Sequence, residues 1–261
     1  MATARGLTRG AGPAIDVFKS AGYEFIYLES PWGVSACGPS VDVCYPYWTI
    51  TETAKWLGEF TIFANLIEAG TWTVSPDSAL RQFATLRDLA ASPASSPRLV
   101  YAHVGVPHGP FVLNAECERW DNPMSANWEV TPDSSDPYLE QLRCANRQIR
   151  DLIEVIDQTS PESVVVITAD HGVSLQGQWR NPLSEWSPEE IEESSSIFTA
   201  YRLPATCPNT YVDDFQLVNT FRLVIDCLFD QSLGLLPPRN FHAFTQDTAS
   251  IEVTEVTPPV D

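Results

Sequence analysis

The chain is 261 residues long, 44% hydrophobic and 11% aromatic, enough to bury a sizeable core and to fold as a globular protein. Its formal charge is -19, with 15 Lys and Arg spread along the chain; this excludes a phosphate-tracking nucleic-acid surface and is compatible with a cationic metal site. No run reaches the roughly 18 apolar residues of a membrane-spanning helix, and Met1 to Pro13 lacks the apolar core of a signal peptide.

The first predicted element is a short helix, Ile15 to Ala21, closed by Gly22 and followed by a buried aromatic and β-branched strand, Tyr23 to Leu28. A loop rich in Pro, Gly and Ser runs from Ser30 to Pro46. Two amphipathic helices follow, Thr51 to Ala69 and Pro76 to Ala91. Their apolar positions, Trp56, Phe60, Phe63, Ile67 and Leu80, Phe83, Leu86, Leu89, recur at three- and four-residue steps.

The linker Ser92 to Pro97 leads into a second strand, Arg98 to Val104, which ends in a polar loop through Pro107, His108 and Pro110. A long helix starts at Asp136 and Pro137, an acidic cap with proline at the first helical position, and carries the stripe Leu142, Ala145, Ile149, Leu152, Ile153 and Ile156. Ser163 to Thr168 is the third strand. After the acidic stretch Pro182 to Ser196 come a fourth strand, Ile197 to Leu203, and a helix over Val212 to Phe229 with core positions Leu217, Val218, Phe221, Val224, Ile225 and Leu228. Residues 1–244 read as one domain and Thr245 to Asp261 as a disordered tail. Strands separated by helices predict an α/β layered fold with a mainly parallel sheet flanked by helices, all strand C-terminal ends facing one rim.

Six cysteines, Cys37, Cys44, Cys117, Cys144, Cys207 and Cys227, show no CxxC spacing. They are either disulfides of an oxidising compartment or buried thiols. Cys37 with Cys44 is the nearest local pair, and the other pairings stay open.

Three of the four histidines fall at or beyond strand ends: His103 and His108 after the second strand, His171 after the third. In open α/β sheets ligand chemistry collects there. Asp170 and His171 are adjacent and are followed by Gly172, where the backbone can turn sharply. A carboxylate oxygen beside an imidazole nitrogen suits a divalent ion such as Zn, Mn or Ca. His103 reads equally as a buried histidine with a satisfied hydrogen bond, and His242 as a surface residue. The tryptophans Trp32, Trp48, Trp120, Trp128 and Trp179 fall in loops, where they would close the core or line a pocket.

These motifs resemble a known family. Val164-Val165-Val166-Ile167-Thr168-Ala169-Asp170-His171-Gly172 is similar to the strand and Asp-His-Gly loop of the alkaline phosphatase and sulfatase superfamily, and Asp170 to Leu175 follows the DHGxSL form of phosphoethanolamine and phosphoglycerol transferases. His103 with His108-Gly109-Pro110-Phe111 resembles the HxxxxHGP(Y/F) segment of the same branch. Tyr201-Arg202-Leu203-Pro204, Val218 to Arg222 and Ala21-Gly22-Tyr23 add weaker agreement.

The resemblance implies an alkaline-phosphatase-like fold, Asp170 and His171 as metal ligands, and His108 and His103 as contacts to the substrate anion. The implied function is metal-dependent hydrolysis of sulfate or phosphate esters. The alternatives are a phosphoethanolamine- or phosphoglycerol-type transferase and a degenerate, non-catalytic binding module of the same fold.

In that superfamily the nucleophile and further acidic ligands precede the Gly-Tyr strand. Residues before Tyr23 contain neither, so the expectation is an N-terminally truncated domain completed by a missing segment. That segment would export or anchor an extracytoplasmic protein. Cys37-Gly38-Pro39-Ser40 matches most of the sulfatase C-x-P-S-R signature, but Val41 replaces the Arg and the motif follows the Gly-Tyr strand, so a Cys37–Cys44 bridge is the better reading.

Overall fold

A computed structural model describes residues 4–7, 9–30, 36–47, 76–119, 135–174, 181–207, 215–247 and 250–256. The predicted helix Thr51 to Ala69 and the five loop tryptophans lie outside them. The chain divides into two compact units, Met1–Trp128 with Asp136–Pro161 and Glu129–Ser135 with Glu162–Asp261.

The first unit opens with helices α1 (Ala4–Leu7) and α2 (Pro13–Ser20). Proline at its first turn starts α2, and Gly22 at φ 85° ends it: the Gly22 amide bonds Lys19 O and the Tyr23 amide bonds Phe18 O, a left-handed closure that a side chain would strain. The turn delivers β1 (Glu24–Leu28) to the middle of a parallel sheet of order β2-β1-β3, with β2 at Val43–Tyr45 and β3 at Arg98–Ala102. Central position explains the burial of β1, whose Phe25, Ile26, Tyr27 and Leu28 are at most 2% exposed.

Asp42 fixes the register of β2. Its carboxylate accepts from the Phe25 amide at 2.9 Å and from Lys19 Nζ at 2.6 Å, while its own amide donates to Phe25 O. At the other end of the sheet, the Gln82 amide donates to Glu29 O (2.7 Å) and to His103 O (3.3 Å), tying the C-terminal ends of β1 and β3.

Helix α3 (Pro76–Ala91) spans the residues expected, and α4 runs over Ser135–Thr159. Their buried lines share Phe83 and Ala145 with the apolar stripes read in the sequence, and Leu80, Leu86 and Ile149 pack against the same core, but small and polar residues join them. In α4 the innermost residues are Gln141, Cys144 and Ala145, and in α3 they are Ser78, Ala79, Gln82 and Phe83. Small and amide side chains go inside because both helices pack on a loop whose backbone needs hydrogen-bond partners. Ala79, Phe83, Val106, Val112, Leu113, Cys144 and Ala145 form one buried cluster.

The second unit holds β4 (Val165–Thr168), α5 (Pro188–Ser195), β5 (Thr199–Arg202), α6 (Thr220–Phe229), β6 (Asn240–Asp247) and β7 (Ser250–Val256). Here the parallel expectation needs correction, because β5 pairs with β4 antiparallel. The C-terminus of α5 is held beside the end of β4, with the Gly172 amide on Ser194 O (2.8 Å) and the Ala169 amide on Phe198 O (3.0 Å). The chain re-enters the sheet where β4 left it and can only run back.

In α6 the buried residues are Leu223, Val224 and Ile225, whereas Leu217, Val218 and Phe221 are exposed. Asn219, 2% exposed, takes the inner position ahead of the helix and bonds Leu236 through both its amide atoms. The segment read as a tail also contains structure: β6 and β7 pair as a hairpin, and the β-branched Ile251, Val253, Thr254 and Val256 supply its second strand.

All six cysteines are paired, as Cys37–Cys44, Cys117–Cys144 and Cys207–Cys227. Among the described residues no helix is long and apolar enough to cross a membrane.

Candidate active site

His103 follows β3 directly and is half-buried; its carbonyl takes the Gln82 bond described above. From there the chain enters a segment with two prolines, Pro107 and Pro110, which have no amide hydrogen to give. Val106, Phe111, Val112 and Leu113 are nevertheless buried, so the remaining backbone groups need partners.

Gln141 of α4 provides them. Its Oε1 accepts from the Val112 amide (2.8 Å) and the Leu113 amide (3.2 Å), and its Nε2 donates to His108 O (2.9 Å) and, at 3.5 Å, to Pro110 O. The same helix holds the end of the segment: Glu140 accepts from the Ala115 amide (3.0 Å), and Cys144 is bonded to Cys117. The His108 imidazole places Nδ1 2.7 Å from Gly109 O. A nitrogen facing a carbonyl at that distance must carry the proton, so Nε2 is the ring nitrogen with the lone pair in the neutral form.

The second motif repeats this device. His171 sets Nδ1 2.7 Å from Gly172 O, which again fixes the Nδ1–H tautomer and leaves the lone pair of the neutral ring on Nε2. Asp170 Oδ1 lies 3.9 Å from that Nε2, and both side chains are about two-thirds exposed. Two ligands at about 2.0–2.1 Å from a tetrahedral ion are about 3.3 Å apart. The pair therefore fits an ion after a small rotation that exposed side chains can make.

Gly172 has a different reason to be glycine from the sharp turn expected. A Cβ there would overlap the Glu193 carbonyl and approach Ser196 O at 2.8 Å. Close approach of α5, rather than an unusual backbone angle, demands the missing side chain.

His103 and His108 belong to the first unit, Asp170 and His171 to the second. A further group, Glu29 with Cys37 and Cys44, brings ligand-type atoms within 4.8 Å of one another. The sulfurs are joined in a disulfide and offer no thiolate, and the Glu29 carboxylate accepts from the Cys37 amide (2.8 Å) and the Tyr47 amide (3.3 Å). This cluster closes the loop between β1 and β2. The disulfide also removes Cys37 as a nucleophile.

The sequence reading missed Gln141 and Gln82, both polar residues on the inner line of a helix. The available signal was the phase of Gln141 with Cys144, Ala145 and Gln148, together with a loop whose prolines leave backbone acceptors unpaired.

A family model described as Sulfatase matches residues 15–212, a span that includes His103, His108, Asp170 and His171. The chain belongs to the sulfatase family. Membership places it in the alkaline phosphatase and sulfatase superfamily, whose α/β fold agrees with the parallel sheet and packed helices of the first unit. Sulfatases generally use a divalent metal ion and act on ester substrates. No curated protein matches the chain. The three disulfides and the family are compatible with an extracytoplasmic location.

Proposed function

We propose that this sulfatase-family chain contributes to metal-dependent hydrolysis of sulfate or phosphate esters, with Asp170 and His171 as metal ligands and His108 as the contact to the transferred group. The observation that carries this reading is the Asp170-His171-Gly172 turn, in which a carbonyl holds the imidazole in the tautomer that ligates through Nε2.

A divalent ion bound by this pair supplies charge stabilisation of the ester oxygens and orients the attacking group. Asp170 adds a negative oxygen, and His171 adds a neutral nitrogen whose other face is held by Gly172 O. The His108 ring, held at Nδ1 by Gly109 O, presents Nε2 to the oxygens on which charge accumulates during in-line displacement. His103, directly after β3, is the second candidate contact through its imidazole.

The DHGxSL form at Asp170 to Leu175 and the HxxxxHGP form at His103 to Pro110 favour one second reading, transfer of the phosphoryl-bearing group to an alcohol acceptor instead of water.

Titration calorimetry with ZnCl2 and MnCl2 tests the ligand assignment. Asp170→Ala and His171→Ala are each expected to weaken binding of the preferred ion by at least about tenfold, the usual size of a lost ligand or ligand support. Unchanged affinity in both variants refutes it. Hydrolysis of 4-nitrocatechol sulfate and bis(4-nitrophenyl) phosphate, each with and without glycerol as acceptor, separates the two ester classes and the transferase reading.

A further inference from the structure

Gln141 is the most completely buried polar residue among the described residues, 0% exposed. An amide has two acceptor positions on oxygen and two donor hydrogens on nitrogen, and Gln141 directs all four at one loop. The oxygen takes the Val112 and Leu113 amides; the nitrogen reaches the His108 and Pro110 carbonyls. Burying an amide is unfavourable unless such bonds are made, so its place at the centre of the contact needs a reason.

Packing alone gives none, because Met or Leu would fill the volume without polar atoms. Holding the loop near α4 gives none either, since the Cys117–Cys144 disulfide, the Glu140 bond to the Ala115 amide, and the apolar cluster already do so. What Gln141 adds is a hydrogen bond to the carbonyl of His108 itself, which fixes the peptide carrying the imidazole. The neighbouring peptide is fixed too, because the Gly109 carbonyl that accepts from Nδ1 lies between the two carbonyls on Nε2.

We propose that Gln141 is the positioning residue of His108: by bonding the carbonyls on either side of Gly109, it aims the Gly109 carbonyl that holds the imidazole and so sets the direction in which Nε2 meets an anion. The inference rests on the reading of His108 as an anion contact, although the orientation it describes can be measured without it.

The experiment uses the full chain with Zn2+ bound, in the wild type, Gln141→Met, Gln141→Asn and His108→Ala. Long-range 1H–15N spectra report the His ring tautomers, with His108 assigned by its absence in His108→Ala, and inorganic sulfate is the anion probe. Gln141→Met keeps the volume and loses every bond. It is expected to move the His108 ring signals away from the Nδ1–H pattern and to weaken sulfate binding by about tenfold, the usual cost of removing a group that orients a contact residue. The His171 ring signals and Zn2+ affinity should stay as in the wild type.

Should Gln141→Met not fold, Gln141→Asn decides, since its shorter amide reaches either the Val112 and Leu113 amides or the His108 carbonyl but not both. A folded variant with wild-type His108 signals and sulfate affinity overturns the proposal. So does one in which the His171 signals and Zn2+ affinity move equally, because that is general loosening. If His108→Ala leaves sulfate affinity unchanged, the anion-contact reading fails, while the ring signals in Gln141→Met still decide the role of Gln141.

Discussion

Gly172→Ala isolates one steric contact at the proposed metal-binding turn. A Cβ at residue 172 meets three backbone atoms of the α5 C-terminal region: it overlaps Glu193 O, lies 2.8 Å from Ser196 O and 2.9 Å from the Ser194 carbonyl carbon. None is the end of a flexible side chain. Reaching an ordinary contact of 3.4 Å requires Ser196 O to retreat by about 0.6 Å, and the Glu193 carbonyl by more.

Overpacking of this kind costs about 1–3 kcal/mol, and the retreat also breaks the Gly172 amide bond to Ser194 O, worth about 1 kcal/mol more. The expected loss is therefore about 2–4 kcal/mol in urea unfolding, with Zn2+ binding weakened because the carbonyl that holds His171 moves with the turn. Gly22→Ala is the control. Nothing lies within 4 Å of its Cβ, and its φ of 85° alone should cost about 1 kcal/mol or somewhat more, with Zn2+ affinity untouched. A Gly172→Ala protein with the wild-type urea midpoint and Zn2+ affinity refutes the close-approach argument.

Further perturbations address the supports around the site. The Lys19 hydrogen bond, followed by the Phe25 amide, holds the Asp42 carboxyl below its ordinary 3.8, against an opposing effect of burial. A lowered folded-state value means that the stabilisation is complete above the unfolded-state pKa and is lost as pH falls through the lower folded value. Acid unfolding curves of Asp42→Asn should therefore lack the component that the wild type shows below about pH 4; superimposable curves would contradict it.

Replacing both Cys117 and Cys144 by Ser opens a loop with a sequence separation of 27 and should lower stability by roughly 3–4 kcal/mol on the chain-entropy estimate. The same urea experiment under reducing conditions should show the wild type moving towards this variant. Gln82→Leu removes the bonds to the ends of β1 and β3 and should cost about 1–3 kcal/mol by withdrawing the donor that Glu29 O and His103 O share. A thermal midpoint equal to the wild type would argue against that bridge.

Strands and motif loops were largely legible in the sequence because their causes are local. Tyr23 to Leu28 is an aromatic and β-branched run preceded by a Gly cap, and β1 occupies Glu24–Leu28. Asp170 and His171 stand just past an apolar run, and β4 ends at Thr168. The antiparallel course of β5 was not legible, since it depends on where α5 ends in space, which the apolar pattern of Ile197 to Leu203 does not record. The inner lines of α3 and α4 were only partly legible for a related reason: Phe83 and Ala145 are buried as the stripes predict, but polar residues share their faces. Hydrophobic periodicity assumes that a buried face is apolar, whereas these helices bury Gln82 and Gln141 against backbone groups supplied by distant segments. Ahead of α6, the inward turn of Asn219 depends on Leu236, beyond the helix itself.

The two His-Gly motifs show how one local device can be supported in opposite ways. Both rings place Nδ1 2.7 Å from the carbonyl of the following glycine, so the tautomer is set by two adjacent residues and was in principle readable from them. What holds each glycine carbonyl differs. Gly109 is buried in a loop whose flanking carbonyls are taken by the Gln141 side chain, so a side-chain substitution can release it. Gly172 is held by main chain, through its amide on Ser194 O and its contact with the Glu193 carbonyl, so only a change at the glycine itself or a shift of α5 can release it. The proposed anion contact and the proposed metal-ligand pair should therefore respond to different substitutions, His108 to changes at Gln141 and the Asp170–His171 turn to changes at Gly172, and the two sets of variants together test that separation.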